Sequence, residues 1–228
     1  QSNTTGCCNT AIGRMALMTN TTGYYNIGIG CGALCDNTEG YQNNALGFRA
    51  LYRNTTGCNN QAIGCHALYN NTTGVFNTAI GANSLRYNTT GTYNTAMGYA
   101  ALEDNTTGGH NIGLGGSALA SNTTGGHNFA AGYSSLVRNI SGNNNTAIGQ
   151  YASMCSTCGC SNVALGSNAL RNNNGCYNNA LGYFAMHCNT TGSNNNALGT
   201  QALCCNTTGS NNTAIGDNAL CGSLSGSD

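Results

Sequence analysis

NTTGYYNIGIGCGALCD, residues 20–36, is followed at once by NTEGYQNNALGFRALYR, residues 37–53. Set one above the other, the two stretches share Asn, Gly, Asn, Gly, Ala and Leu at matching places. The skeleton N-T-T-G-x-x-N-x-A-I-G-x-x-A-L-x-x runs from NTTGCCNTAIGRMALMT at 3–19 to NTTGSNNTAIGDNALCG at 206–222. Its first Gly recurs every 17 residues from Gly6 to Gly159 and again from Gly175 to Gly226. The phase places one 16-residue unit at 156–171 and a partial unit at 223–228. About thirteen copies therefore form one repeat domain over 1–228, and the period decides the fold.

Seventeen residues cannot hold a pair of helices, and a Gly and an Asn in every turn would cost each helix about 1 kcal/mol or more. Collagen needs Gly at every third position and is excluded. Disorder suits an Asn/Gly/Thr-rich chain, but the apolar residues fall in fixed columns. One column runs Ile12, Ile29, Leu46, Ile63, Ile80, Met97 and onward to Ile215; the other runs Leu17, Leu34, Leu51, Leu68, Leu85, Leu102 and onward to Leu220, with Ser153 in place of Leu. The reading is an all-β chain, a parallel β-solenoid (β-roll) of about thirteen 17-residue coils. Each coil is expected to hold two short strands and two turns, with both apolar columns inside. Coils stacked at about 4.8 Å would make a rod roughly 60 Å long. The Gly columns suit turns with φ > 0 or close backbone packing. The Asn column from Asn9 and Asn26 to Asn212 suits an axial amide ladder. The coil at 139–155, with Ser153 in the Leu column, is expected to be the weakest.

Composition narrows the partners. Only 5% of residues are charged, and six Arg balance six acids. That leaves no basic field for nucleic acid. No apolar run is long enough for a membrane span. Gln1 at the start reads as a processed N-terminus, and fourteen Cys point to an oxidising compartment.

Stacking in register predicts contacts between residues 17 apart: Asp36 with Arg53, Arg86 with Glu103, Tyr24 with Tyr41, and Tyr52 with Tyr69. Neighbouring coils also place Cα atoms near the roughly 4.4–6.8 Å that a disulfide accepts. The expected axial disulfides are Cys160–Cys176, Cys188–Cys205 and Cys204–Cys221. The pairing of the other eight cysteines is left open.

The NTAIG cadence at 9–13, 77–81 and 145–149, followed each time by the Ala-Leu column, resembles repeat regions of bacterial and phage tail-fibre-like surface proteins. More distantly it is similar to the heads of trimeric autotransporter adhesins. The resemblance covers nearly the whole chain. It implies a left-handed parallel β-roll, an extracellular location and a homotrimer.

N-x-[ST] sequons occur in the N-T-T-G turn at Asn3, Asn20, Asn54, Asn71, Asn88, Asn105, Asn122, Asn139, Asn189 and Asn206, and elsewhere at Asn70, Asn144 and Asn211. The functional reading is N-glycosylation, a covalent sugar stripe. The competing reading is turn chemistry, with Asn and Thr bonding their own backbone; Asn37, in NTEG, keeps the turn without a sequon. His110 and His127 share a column, but two imidazoles make a weak metal site. Cys155, Cys158 and Cys160 read as disulfide partners rather than zinc ligands. No Ser-His-Asp set or carboxylate pair stands out, so the chain reads as a non-enzyme with no cofactor. The Thr columns raise ice binding as a minor reading, set against the lack of a flat T-x-T face.

The expectation is an extracellular structural fibre subunit, a rigid glycosylated rod whose uncapped ends stack head-to-tail into filaments. The alternative is the head or shaft of a trimeric surface adhesin or tail fibre. Both make the chain its own partner.

Overall fold

A computed structural model describes residues 2–222. The expected partial unit at 223–228 lies outside the described residues. The chain divides into two compact units, residues 1–111 and 112–228, and both are built from the same coil.

The first unit carries β1 (Thr10–Ile12), β2 (Ile27–Ile29), β3 (Asn44–Leu46), β4 (Gln61–Ile63), β5 (Thr78–Ile80) and β6 (Thr95–Met97). The second carries β7 (Ile112–Leu114), β8 (Phe129–Ala131), β9 (Thr146–Ile148), β10 (Val163–Leu165), β11 (Asn179–Leu181), β12 (Asn196–Leu198) and β13 (Thr213–Ile215). Within each unit every strand pairs in parallel with the next, in the register the period predicts: Thr78 faces Thr95, and Ile12 faces Ile29. The fold is the predicted all-β parallel solenoid.

Two details differ from the expectation. Each coil holds one strand of three residues, not two strands. The Leu column lies instead in a turn, with Leu34, Leu51, Leu68, Leu85 and Leu102 at φ between 49° and 53°. A left-handed conformation costs a branched L-residue about 1–2 kcal/mol. Burial offsets it: these five side chains are fully enclosed, and burying one Leu is worth about 1.5–3 kcal/mol. The amides of Leu34, Leu51, Leu68 and Leu85 also donate to a neighbouring coil, as Leu68 N does to Ser84 O at 3.0 Å.

The second difference concerns the strand. Side chains alternate along a strand, so a three-residue strand turns one residue in and two out. The inward residue is the small one: Ala45, Ala62, Ala79 and Ala96 are buried. The large Ile column, expected inside, faces out. Ile63 is 42% exposed and Leu198 49%. The core of a regular coil is thus an Ala from the strand, an Ala-Leu pair from the turn, and two asparagines.

Those asparagines form two ladders. In the predicted one, Asn60 Nδ2 donates to Asn43 Oδ1 at 3.1 Å and to Gly74 O at 2.8 Å, while Asn60 N also donates to Asn43 Oδ1 at 3.0 Å. The pattern repeats along each unit. Close stacking explains the first Gly column: a Cβ on Gly57 would lie 2.5 Å from Gly74 O and from Asn54 Oδ1. The second column needs positive φ as well, as at Gly64 with φ +137°.

The repeat loses one residue in the second unit, but not within 156–171. Ser153, in the Leu column, donates its amide 16 residues on, to Ala169 O. The next member of that column, Leu170, reaches only 15 residues on, to Ala185 O. The missing residue belongs to the turn at Asn173–Gly175. There Asn173 Nδ2 donates to Gly175 O, two residues away, where Asn189 spans three to Gly192 O.

Candidate functional site

The outward strand positions give each unit a face with two parallel columns. One is apolar throughout: Ile12, Ile29, Leu46, Ile63, Ile80 and Met97 in the first unit, and Leu114 to Ile215 in the second. The other is mostly short and polar, and its amides join along the axis. Asn44 Nδ2 donates to Gln61 Oε1 at 2.7 Å, and Asn179 Nδ2 to Asn196 Oδ1 at 2.9 Å. Exposed rings of Phe48, Tyr99, Tyr133 and Tyr183 stand two residues beyond the apolar column. Over β11–β13 the two columns enclose a groove of about 230 Å³ lined by Asn179, Leu181, Asn196, Leu198, Thr213 and Ile215. Neither column contains an ionisable side chain.

The sequon asparagines of the N-T-T-G turn make the second amide ladder. Asn20, Asn54, Asn71, Asn88, Asn105, Asn122, Asn139, Asn189 and Asn206 are all buried. Asn71 Nδ2 donates to Asn54 Oδ1 at 2.8 Å and to Gly74 O at 3.0 Å. A glycan would replace one of those two hydrogens and would have to pass through the coil wall. In this geometry the column is a structural row of bonded amides. Asn3 is exposed, although its Nδ2 also bonds within its turn, to Gly6 O at 2.8 Å. Threonine completes the turn: Thr72 Oγ1 donates to Thr89 O at 3.1 Å, and the same carbonyl accepts Thr72 N at 3.0 Å. The signal was present at Asn37, which keeps the bond to Gly40 O without a sequon. Asn144 and Asn211, in other columns, face solvent.

Cys160 and Cys176 are disulfide-bonded, with Cα atoms 4.7 Å apart. The other two expected pairs are not formed: Cys188, Cys204, Cys205 and Cys221 are free thiols. The Cys204 thiol turns to its chain neighbour instead, 3.5 Å from Cys205 Sγ, and approaches Cys221 through the carbonyl oxygen at 3.7 Å. Burial first, and then the neighbouring Cys205 thiol, push the Cys204 pKa to about 11. Cys155 and Cys158 are also free. Among the described residues no three His, Cys, Asp or Glu side chains converge as metal ligands.

The other predicted column contacts hold in part. Arg86 Nη1 lies 3.7 Å from Glu103 Oε1. Burial raises the Glu103 pKa, with Asp104 adding to the effect. Tyr24 stacks on Tyr41 at 5.0 Å, and Tyr52 on Tyr69 at 5.3 Å. Among the described residues Asp36 and Arg53 make no ion pair; the Arg53 guanidinium lies 5.9 Å from the Tyr69 ring centre. His110 stacks on Tyr93 at 4.9 Å.

Comparison of the chain with protein-family models, curated proteins and solved structures gives no significant match.

Proposed function

We propose that this chain is an extracellular structural module, a stiff solenoid that assembles with copies of itself. The observation that carries the reading is the apolar column on the outward sheet face. It presents side chains such as Leu46, Ile63, Met97 and Leu198 to solvent at 42–49% exposure, in a row where a monomer ordinarily places polar residues. A flat partner with the same strand spacing of about 4.8 Å can match it rung for rung, and a second copy has that spacing. This face favours side-by-side association, as in the trimeric surface-protein reading, over purely head-to-tail stacking. The Cys160–Cys176 disulfide and the low charge suit an extracellular setting. Any glycan belongs on the solvent-facing sequons Asn3, Asn144 and Asn211 rather than on the buried ladder.

Light scattering and electron microscopy test the reading. Wild type is expected to form discrete oligomers or bundles. Leu46→Lys with Ile63→Lys is expected to give monomers with an unchanged circular dichroism spectrum. A monomeric wild type at high concentration would sink the proposal. Long single-file filaments that persist in the double variant would restore the head-to-tail alternative.

A further inference from the structure

The first unit repeats one side-chain constellation that the assembly reading does not use. Residues 17 apart place Cys35 next to Tyr52 and Tyr52 next to Tyr69; they also place Cys8 next to Tyr25, and Tyr24 next to Tyr41 and then Cys58. The Tyr52 and Tyr69 rings stack at 5.3 Å and 13°, and Tyr24 and Tyr41 at 5.0 Å and 2°. Tyr25 meets Tyr24 edge-on at 5.5 Å. Backbone bonds hold a thiol beside a phenol in the next coil at all three junctions, Cys35–Tyr52, Cys58–Tyr41 and Cys8–Tyr25: Asp36 N donates to Tyr52 O at 2.9 Å, Asn59 N to Tyr41 O at 3.0 Å and Tyr25 N to Cys7 O at 3.1 Å. Two separate runs of aromatic rings thus end on thiols.

We propose that these tyrosine stacks are one-electron oxidation sites whose terminal reductant is a thiol: Cys35 for Tyr52–Tyr69, and Cys8 and Cys58 for Tyr25–Tyr24–Tyr41. The co-reactant is a one-electron oxidant, of the peroxidase or metal-complex kind. It takes an electron from an exposed phenol, whose proton passes to water. The phenoxyl radical then receives a hydrogen atom from the thiol. The O–H bond re-forms, the S–H bond breaks, and the unpaired electron rests on sulfur. Overall one thiol loses one electron and one proton, and the oxidant gains the electron.

Burial explains why a relay is needed. Cys35 is 1% exposed, beyond contact with a bulky oxidant, whereas Tyr52 and Tyr69 of its own stack are only half-buried; in the other stack Cys58 is half-buried and Tyr24 and Tyr25 are 38% and 55% exposed. Both partners also stay protonated near neutrality. Burial raises the Cys35 pKa, the neighbouring Cys35 raises that of Tyr52, and the Cys58 hydrogen bond raises that of Tyr41. Hydrogen-atom transfer is then the available exchange, and it is close to thermoneutral because the two bonds are similar in strength. The consequence is that oxidation consumes thiols before it couples the stacked rings into dityrosine.

The test exposes the full chain to brief pulses of photogenerated tris-bipyridine ruthenium(III), a bulky one-electron oxidant. Peptide mapping follows each thiol, and fluorescence follows dityrosine. Cys35 and Cys58 are expected to be lost ahead of the exposed Cys31, which serves as the control. Tyr52→Phe keeps the ring but removes the O–H; it should slow Cys35 loss several-fold and leave Cys31 unchanged. Cys35→Ser with Cys58→Ser should raise early dityrosine several-fold, at Tyr24–Tyr41 and Tyr52–Tyr69. Unchanged Cys35 loss in Tyr52→Phe would overturn the relay, as would unchanged dityrosine in a folded double-serine variant. If the double variant does not fold, the Tyr52→Phe arm decides.

Discussion

Coils 54–104 of the first unit and coils 139–188 of the second follow the same path with different sequence quality. In the first stretch Leu68, Leu85 and Leu102 fill the interior, and Asn71 and Asn88 each bond the asparagine one coil before. In the second, Ser153 takes a Leu position at 2% exposure. Ser156 takes an Asn position, and both its Oγ and Asn139 Oδ1 are buried without a partner. The next turn is a residue short. The strands stay in register all the same: Val163 pairs with Thr146 on one side and Asn179 on the other. A coil therefore takes its shape largely from the coils above and below. Where the internal bonding fails, a covalent bond is present, for Cys160–Cys176 joins the coil holding Ser156 to the shortened one.

Exchanging the defects between the two stretches tests that comparison. Leu85→Ser copies Ser153 into the regular stretch and is expected to cost about 4 kcal/mol in denaturant titration. Ser153→Leu should stabilise the second unit instead, because the backbone there already holds the Leu-column turn at φ 48°; a loss of stability would show that the defective coil has collapsed around Ser153. Next in size is the disulfide. Cys160→Ser with Cys176→Ser, or reduction of the wild type, should lower stability by about 3 kcal/mol for a loop of this length. Equal melting with and without reductant would mean that stacking alone holds the short coil.

The amide row gives a smaller pair of effects. Asn88→Ser should cost about 2 kcal/mol, since it strands a buried oxygen on Asn71. Ser156→Asn should gain about 1 kcal/mol by satisfying Asn139. If both changes prove neutral, buried water serves the row as well as amides do.

The smallest expected effect is pH dependence, with one histidine in each unit. Burial lowers the pKa of His66, with Arg86 and Arg49 adding to it, and burial lowers that of His187, partly offset by its bond to Asn168 O. Each is held neutral in the fold, and the unfolded chain binds protons more readily. Their stabilisation is present above the ordinary His pKa and is lost as pH falls through the lowered one. Melting curves between about pH 7.5 and 5 should decline slightly, and His66→Asn with His187→Asn should flatten the slope.

The 17-residue phase made the solenoid legible, along with the Tyr stacks, Arg86–Glu103 and Cys160–Cys176, because in-register stacking turns sequence spacing directly into contact. The orientation of the strand was not legible. Ile and Leu look like core residues, yet the neighbouring Ala is the one that fits between coils, and only the pleat of a three-residue strand reveals it. Leu at positive φ carries no local signal, since Gly or Asn ordinarily marks such a turn. The sequon column was ambiguous for a chemical reason: one side-chain amide can accept a sugar or bond its neighbours, and the letters are the same for both. Asn37 in NTEG marks the bonding role, since it keeps the turn bond to Gly40 O without a sequon.

In both amide rows the nitrogen belongs to the later coil and the oxygen to the earlier one, as in Asn54 to Asn37 and Asn94 to Asn77. Within a unit the side-chain dipoles therefore align, much as peptide groups do in a helix. Each row polarises its members cooperatively and gives the winding an electrical sense. A coil with its amide turned about would face oxygen with oxygen on one side and N–H with N–H on the other.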